Sequence, residues 1–510
     1  MNWVRGCSIL LDLISTFVAD RKNEGLNVRT PLFGSMWFLV SSCCLAFLCQ
    51  ACQMEGVGQY RNHARWLAGD HHIHSRFSVG WNREVDPPSP IIGGDAIYPI
   101  PMNALMAKHM GLSWMVATDH GGPNHSKVNL ERAYPELLLS RKLVPEVIQF
   151  FGLEFNSPGA DHTSLIIPKS IDEAKLLYQV EAGFDRNEAF PVDKRRDNQT
   201  KMIEALRFMN SLSEKPVVIA NHPSRSSARI GEYGADDPAE LREWNDTAPD
   251  VATGMAGAPG HQAMTLNADG TLNPKKQRGG YGGGATMGGF DPMTARLGGF
   301  WDSMLGEGRG WWITANSDSH VHYTEGGSDF WPGEYSKTYV HAKKSYEAIL
   351  AGIRAGRIFV TTGDLISELF VSVKTRSGIA EIGGSIQIRP GEKVEVTIKL
   401  KDPKLKNWHN NNPAVSRVDL IVGEITGPVV DPAQDYNPTT RVVERFTREK
   451  WHLEGDYLTM NYVMRNNKTS QYLRVRGTNT MEMEPEPDPK GEDPWEDLWF
   501  YSNPIFLRVR

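Results

Sequence analysis

Three histidines lie close together in the segment GDHHIHS, residues 69–75. They occupy positions 71, 72 and 74 of a chain that has only 15 histidines in 510 residues. In an extended segment His72 and His74 project to the same side of the backbone, so the two imidazoles could hold one ion together. Because neutral imidazole is a ligand for Zn, Mn and Fe, this spacing suggests metal chemistry.

Four later apolar runs each lead into histidines or carboxylates. WMVAT (114–118) is followed by Asp119 and His120, VIQFFGL (147–153) by Glu154 and later His162, VVIA (217–220) by His222, and WWITA (311–315) by Asp318 and His320. Such groups collect at the strand ends of (β/α) barrels. Each feature alone is common in structural loops, but their shared ligand chemistry predicts a metal site.

Glu154 could bridge two ions, because a carboxylate has two oxygens. A pair of ions about 3.5–4 Å apart can clamp the attacking and leaving oxygens of a phosphoester and acidify a bridging water. The set therefore predicts hydrolysis by a metal-bridging hydroxide rather than by a protein nucleophile.

The elements that must position these residues can be predicted from the hydrophobic pattern. Residues 60–365 alternate helical periodicity with short apolar runs, which favours an α/β fold with parallel strands. Met102, Leu105, Met106 and Met110 predict one helix, and 200–212 and 346–356 predict two more. The Gly-rich stretch 253–300 has no phosphate-loop motif after a strand, so it is predicted to be a long insertion near a cleft.

The remaining chain has a different character. Short alternating runs separated by turns predict a β-sandwich over residues 366–510. Within it, the acidic, proline-rich segment 481–497 is predicted to be a solvated loop. All five cysteines lie within the first 52 residues, so disulfides and thiolate metal sites are excluded from the rest of the chain.

The N-terminal residues 1–52 have the pattern of an export signal. The uncharged run 32–51 follows Arg21, Lys22 and Arg29, and a small-x-small site ends at Ala51. We expect cleavage there, with Met36 as an alternative start and an uncleaved anchor as the alternative fate, since about 20 residues can span a bilayer. Either way the protein is expected to be periplasmic or secreted, with membrane contact only through an uncleaved N-terminal segment. The net charge of −6 gives no reason to expect a nucleic-acid partner.

The ordered motifs DHHIHS (70–75), ATDHG (117–121), GLEF (152–155) with His162, ANHPSR (220–225) and NSDSH (316–320) resemble those of the PHP family, the polymerase and histidinol phosphatase family. The flanking segments 301–320, 349–364 and 501–509 are most similar to an exported branch related to carbaryl hydrolase. The resemblance covers about 60–510 and implies a distorted (β/α)7 TIM-like barrel that binds two or three divalent ions (Mn, Zn or Fe).

Carried over by position, the resemblance assigns most of the ligands. It implies a first ion held by His72, His74, Glu154 and Asp318, a second held by Glu154, His162 and His222, and a third near His120 and His320. His71 is expected to be a neighbour, and Asp70 to orient a ligand imidazole. Val79-Gly80 replace the acidic or histidine residue that helps to hold the third ion, so a two-ion centre is favoured, with Asp86 as a substitute ligand.

The function that this implies is hydrolysis of a small-molecule phosphoester, with a phosphodiester favoured. Arg225 is the candidate for binding phosphate oxygens, and a salt bridge at the barrel rim is its alternative role. His120 or His320 would protonate the leaving group, and Asp119 is placed with the catalytic residues. Two alternatives stay open: a carbamate, amide or aryl-ester hydrolase at the same centre, and an exported metal-binding protein without catalysis.

Overall fold

The structure is a computed structural model that describes residues 63–510. The predicted signal or anchor, residues 1–52, lies outside this range. Residues Arg61–Arg510 belong to one compact unit. Within residues 63–510, no helix combines the length and the apolar character needed to cross a membrane.

The strands of the first part of the chain are β1 Arg65–Ile73, β2 Gly80–Asn82, β3 Ser89–Ile91, β4 Trp114–Ala117, β5 Ile148–Asn156, β6 His162–Ile167, β7 Val217–Ala220, β8 Ala252–Ala258, β9 Trp312–Ala315, β10 Ser336–Ala342 and β11 Ile358–Thr362. Those of the second part are β12 Glu368–Thr375, β13 Gly378–Glu381, β14 Ser385–Ile388, β15 Glu392–Lys401, β16 Arg417–Glu424, β17 Arg441–Phe446, β18 His452–Glu454, β19 Tyr457–Asn467, β20 Gln471–Thr478, β21 Trp499–Ser502 and β22 Ile505–Val509.

The α-helices are α1 Ile100–His109, α2 His125–Val128, α3 Tyr134–Leu143, α4 Glu173–Phe184, α5 Gln199–Asn210, α6 Pro238–Thr247, α7 Pro292–Ala295, α8 Phe300–Gly306 and α9 Tyr346–Arg354. A π-helical turn, Asn129–Ala133, joins α2 to α3. Short 3-10 turns cover Lys194–Arg196, Gln262–Thr265, Arg278–Gly280, Tyr323–Glu325 and Arg448–Lys450.

The main sheet is mixed rather than all-parallel. Its central path runs β10-β1-β4-β5-β6-β7-β8-β9. β1, β4 and β5 are parallel, and so are β7, β8 and β9, but β6 is antiparallel to both of its neighbours. Six strands therefore end at one edge of the sheet, where β6 begins. The sequence predicted the α/β class correctly, but a hairpin between β5 and β6 replaces the expected helical crossover.

The glycine content of β8 hid this strand from the sequence pattern. ATGMAGA is fully buried between β7 and β9. A Cβ added to Gly254 would lie 1.9 Å from the carbonyl oxygen of Trp312, so the close approach of β9 requires glycine. The first residues of the predicted insertion, 253–258, are thus part of the sheet.

The main sheet continues into the second part of the chain. β11 pairs with β21, and β20 and β22 extend the sheet beyond residue 365. A second sheet, antiparallel throughout, has the order β13-β12-β15-β19-β18. Leu369 and Val396 of this sheet share one hydrophobic core with Leu420 and Leu473 of the main sheet. This arrangement is compatible with a C-terminal sandwich, while the domain boundary itself stays a prediction.

Helix α1 forms where it was predicted but buries a different face. Ala104 and Ala107 are fully buried, whereas Met102 and Leu105 are partly exposed. The small alanines allow the helix to lie close to the sheet, and Asn103 Nδ2 donates a hydrogen bond to the carbonyl oxygen of His74. The helix thereby holds the segment that follows β1.

Candidate metal centre

Histidines and carboxylates converge at the edge where the six strands end. His72 lies in β1 and His74 directly follows it, Glu154 lies in β5, and Asp318 follows β9. His162 is the first residue of β6, and because β6 runs antiparallel, its start lies at the same edge. The side chains that the sequence placed at separate strand ends are therefore neighbours.

The first ligand group is His72, His74, Glu154 and Asp318, all fully buried. Nε2 of His72 lies 3.1 Å from Glu154 Oε1 and 3.1 Å from Asp318 Oδ1. Nε2 of His74 lies 3.1 Å from the same oxygen of Asp318 and 3.0 Å from Nε2 of His72. One imidazole nitrogen of each histidine and two carboxylates thus face a common point.

These separations fit a shared divalent ion. With bonds of about 2.1 Å, tetrahedral ligands lie about 3.4 Å apart and octahedral neighbours about 3.0 Å apart. Glu154 Oε2 is buried and faces Nε2 of His120 at 3.0 Å and Nε2 of His74 at 3.4 Å, so two further imidazole nitrogens surround the same point. Nitrogen and oxygen donors without thiolate suit Mn, Fe and Zn alike. The group could therefore hold a divalent ion, whose identity the donor set does not select.

Glu154 also belongs to a second group. Its Oε1 lies 3.3 Å from Nδ1 of His162 and 3.3 Å from Nε2 of His222. Asp161 approaches the same two histidines. Glu154 consequently touches both groups, as expected for a bridging carboxylate.

A further set of ligand-type side chains consists of Asp95, His120 and His320, beside His74. Asp95 was not predicted. Nε2 of His320 lies 3.5 Å from Asp95 Oδ2, and Ser78 Oγ donates to the same oxygen at 2.8 Å. The hairpin of β2 and β3 returns the chain to Ser78. Asp95 therefore lies near Val79 and Gly80, which replace the acidic or histidine ligand that the family resemblance implies. The suggested substitute, Asp86, is instead solvent-exposed.

The pKa values of the ligands differ with their surroundings. Burial lowers the pKa of His72, but attraction to Asp318 and Glu154 outweighs it and raises this pKa above its usual value. Three other ligands have lowered values. Burial and repulsion from His320 hold the pKa of His74 well below its usual range. Burial and the nearby Arg225 lower the pKa of His222 to about 4. Burial alone would raise the pKa of Glu154, but attraction to the surrounding histidines outweighs it and holds this pKa well below its usual range. At neutral pH these ligands are therefore neutral imidazoles and an ionised carboxylate.

Asp70 supports the centre in a different way from the one predicted. Its oxygens accept hydrogen bonds from the backbone N–H groups of His72 and Ser317, at 3.0 and 3.1 Å, rather than from an imidazole. Asp70 thus ties the two ligand-bearing segments together. His71 points elsewhere and contacts the hydroxyls of Ser164 and Thr314.

A cavity of about 340 Å³ opens onto the centre. His120, Glu154, His162, Arg225, Asp318 and His320 are among the residues that line it. Nη2 of Arg225 donates to Asp318 Oδ2 at 2.8 Å, while its Nε has no hydrogen-bond partner among the residues that the structure describes. The Asp119 carboxylate, in contrast, accepts hydrogen bonds from the backbone N–H and hydroxyl of Ser75 and is not among the lining residues.

A larger cavity, about 690 Å³, lies elsewhere on the molecule. Glu240, Glu243, Arg309 and Pro432 are among its lining residues, which include no histidine. We assign the chemistry to the smaller cavity, because the ligand groups converge there.

Backbone strain is also concentrated at the centre. Seven non-glycine residues between 63 and 510 have positive φ, and three of them are His222 (31°), Asp318 (49°) and His261 (56°). Such conformations cost about 1–3 kcal/mol each and cluster at functional sites.

His261 was missed by the sequence analysis. It follows β8, so it obeys the same strand-end rule as the other histidines. Nε2 of His261 lies 3.2 Å from Asp318 Oδ2. The sequence does contain a signal for His261, namely a histidine shortly after a strand. The glycines of β8 concealed that strand.

Comparisons with known proteins do not assign this chain to a family. No protein-family model matches it. A search of curated proteins also finds no match. The function must therefore be inferred from the site itself.

Proposed function

We propose that this chain is an exported metal-dependent phosphoesterase of the PHP type, acting on phosphodiesters. The observation that supports it best is the position of Glu154: its Oε1 lies within 3.3 Å of His72, His162 and His222, while its Oε2 faces His74. A buried carboxylate shared in this way is the arrangement that a two-ion hydrolase needs.

In this proposal the first ion is held by His72, His74, Glu154 and Asp318, and the second by Glu154, His162 and His222. Such ions would polarise a phosphoryl oxygen and acidify a water molecule so that it can attack at neutral pH. Asp70 would help to hold these ligands in place, because it joins the segments of β1 and β9 through two backbone hydrogen bonds.

Arg225 is our candidate for contacting the substrate phosphate. Its guanidinium lines the cavity, and its Nε has no partner within residues 63–510. A guanidinium fork matches phosphate oxygens and would neutralise the charge that develops on them. His120, which also lines the cavity, is our candidate for protonating the leaving alkoxide.

The proposal includes closure of the central strands into the distorted barrel. It is supported by Thr338 of β10, whose hydroxyl bonds both the N–H and the carbonyl oxygen of Ala315 at the end of β9, at 2.8 and 2.7 Å. These bonds join the last strand of the path β10-β1-β4-β5-β6-β7-β8-β9 to the first.

The test is turnover by protein loaded with Mn²⁺ or Zn²⁺. We expect hydrolysis of bis(4-nitrophenyl) phosphate, lost on chelation and restored on reloading. 4-Nitrophenyl phosphate and 1-naphthyl methylcarbamate are the comparison substrates. Turnover of the carbamate alone would refute the phosphoesterase proposal and support a carbamate hydrolase instead. Metal binding without turnover of any of the three substrates would support the alternative of a metal-binding protein without catalysis.

A further inference from the structure

We propose that His261, together with Asp318 and His320, holds a further divalent ion, and that the C-terminal region of the chain keeps His261 in place. This inference rests on the proposed function in taking Asp318 as a metal ligand and in counting the new ion beyond the two that the proposed function assigns. It does not depend on which bond is hydrolysed.

The geometry of His261 is that of a metal ligand. Its Nδ1 contacts Asp329 Oδ1 at 2.5 Å, and its Nε2 faces Asp318 Oδ2 at 3.2 Å. A carboxylate that accepts a hydrogen bond from Nδ1–H fixes the tautomer in which the Nε2 lone pair can bind an ion, which is the usual carboxylate–histidine–metal arrangement. Asp329 is itself fixed by the backbone N–H groups of His320 and Val321.

The three residues offer ligand atoms within 4.8 Å of one another, and they share Asp318 with the first group. His72, His74 and, at 3.7 Å, Nδ1 of His320 face Oδ1 of Asp318, whereas His261 faces Oδ2. The second carboxylate oxygen therefore extends the centre towards His261. Three protein ligands beside a cavity leave a coordination position open, as in catalytic rather than structural sites.

Arg225 competes for the same oxygen. Its Nη2 lies 2.8 Å from Asp318 Oδ2, so a cation bound there would meet an unfavourable positive charge. Removal of Arg225 should therefore strengthen binding of this ion, whereas removal of His261 should abolish it. A residue that only supports the fold would not produce these opposite signs.

A chain of hydrogen bonds through Gln262 and Arg278 fixes the backbone around His261. The N–H of Gly279 donates to the carbonyl oxygen of His261 at 3.0 Å. The fully buried Arg278 donates through Nε to Gln262 Oε1 at 2.9 Å. Gln262 in turn donates to the carbonyl oxygen of Pro259 at 2.9 Å. These bonds fix both sides of His261, whose positive φ costs about 1–3 kcal/mol that the surrounding contacts must offset.

The anchor of this arrangement is Asp488, in the acidic segment predicted to be solvated. Asp488 is 3% exposed. Its carboxylate accepts hydrogen bonds from the hydroxyl of Thr286 and the N–H groups of Gly288 and Gly289. It also lies 3.6 Å from Nε of Arg278. The acidic segment therefore clamps the insertion that carries His261.

The experiment is titration of the ion-free full-length chain with Co²⁺, followed by visible absorption and by elemental analysis of the saturated protein. We expect three equivalents for the wild type and two for His261→Ala, with the first two affinities unchanged. Asp329→Asn should weaken the third ion about 10- to 100-fold. Arg225→Met should bind it more tightly.

Positioning by Asp488 is tested by placing Asp488→Asn in the wild-type and in the His261→Ala background. In the wild-type background, Asp488→Asn should lower the affinity for the third ion. In the His261→Ala background, the same change should leave the affinities for the first two ions unaltered. His322→Ala, which removes an imidazole bonded to Glu334, and Asp269→Asn, in an exposed part of the insertion, are the matched controls and should bind like the wild type.

Two results would overturn the inference. One is a wild type that binds only two ions. The other is a third ion that is lost in Asp95→Asn but kept in His261→Ala. Loss of the third ion in His261→Ala without any phosphoester turnover would support the inference while refuting the proposed function.

Discussion

The carboxylates of Glu154 and Asp318 approach one atom, Nε2 of His72, at the same distance of 3.1 Å. The two carboxylates come from strands at opposite ends of the path β5-β6-β7-β8-β9. Two ionised carboxylates that are fully buried require a compensating positive charge. Arg225, whose Nη2 lies 2.8 Å from Asp318 Oδ2, supplies part of it, and a bound cation would supply the rest.

Substitution of Glu154 should therefore affect both ion groups at once. Glu154→Gln keeps the shape of the side chain but removes its charge and one acceptor oxygen. We expect the affinity for both ions to fall at least about 100-fold, measured by competition with a chelator. Glu146→Gln, a change of an exposed glutamate just before β5, should leave the affinity unchanged. Loss of only one ion in Glu154→Gln would contradict a bridging role.

Metal removal should lower the thermal stability of the chain. Ligand binding to the folded state alone stabilises it by about 4 kcal/mol when the free ion is at about 1,000 times its Kd. We expect chelation to lower Tm by several degrees and Mn²⁺ or Zn²⁺ to restore it, as recorded by calorimetry. In Glu154→Gln the same additions should have little effect on Tm. An unchanged wild-type Tm after complete metal removal would argue against buried ions.

Arg225 should matter for turnover more than for folding. Arg225→Gln removes the charge facing the cavity, and we expect kcat/KM for bis(4-nitrophenyl) phosphate to fall about 100-fold. Arg229→Gln is the matched control, because Arg229 is exposed and pairs with Glu232. If Arg225 is only a salt-bridge partner of Asp318, Arg225→Gln will lower stability while the turnover of the folded, metal-loaded protein is unchanged.

The strand-end chemistry was predictable because it depends on local order. A short apolar run followed by a histidine or carboxylate identified the ends of β4, β5, β7 and β9, and in a sheet of this kind those ends share one edge. His72 and His74 were predictable from the two-residue period of a strand. These ligands needed no knowledge of the tertiary structure beyond the alternation of helices and strands.

The missed residues depend on contacts that the local pattern does not encode. Asp95 reaches the centre through the hairpin of β2 and β3, and His261 follows a strand whose glycines resembled a loop. Asp488 is buried although its own segment is acidic and rich in proline, because Thr286 and two glycine N–H groups donate hydrogen bonds to its carboxylate. In each case the contact is made by the fold rather than by neighbouring residues, and for Asp488 the composition predicted exposure where the fold produces burial.

Stability should also depend on pH through His125, which lies outside the ligand groups. Burial lowers the pKa of His125, but attraction to Glu181, 2.6 Å away, outweighs it and raises the pKa to about 9. Because the folded pKa lies above the unfolded value of about 6.5, the pair stabilises fully below pH 6.5. This contribution is lost as the pH rises towards 9.

The pH effect can be isolated with a neutral pair. His125→Gln combined with Glu181→Gln keeps hydrogen-bonding groups while removing both charges. We expect the free energy of unfolding of the wild type to fall between pH 6.5 and 9 by on the order of 2 kcal/mol more than that of the double variant. Urea titrations at pH 6, 7.5 and 9 measure it. Parallel pH profiles for the two proteins would refute the assignment.

Metal content at full activity tests the paired-ion centre most directly. Elemental analysis of the purified chain, combined with turnover of bis(4-nitrophenyl) phosphate during stepwise reloading after chelation, gives the number of ions that activity requires. We expect activity to need at least two divalent ions per chain. Full activity with fewer than two ions per chain would contradict the shared role of Glu154 between the two ligand groups.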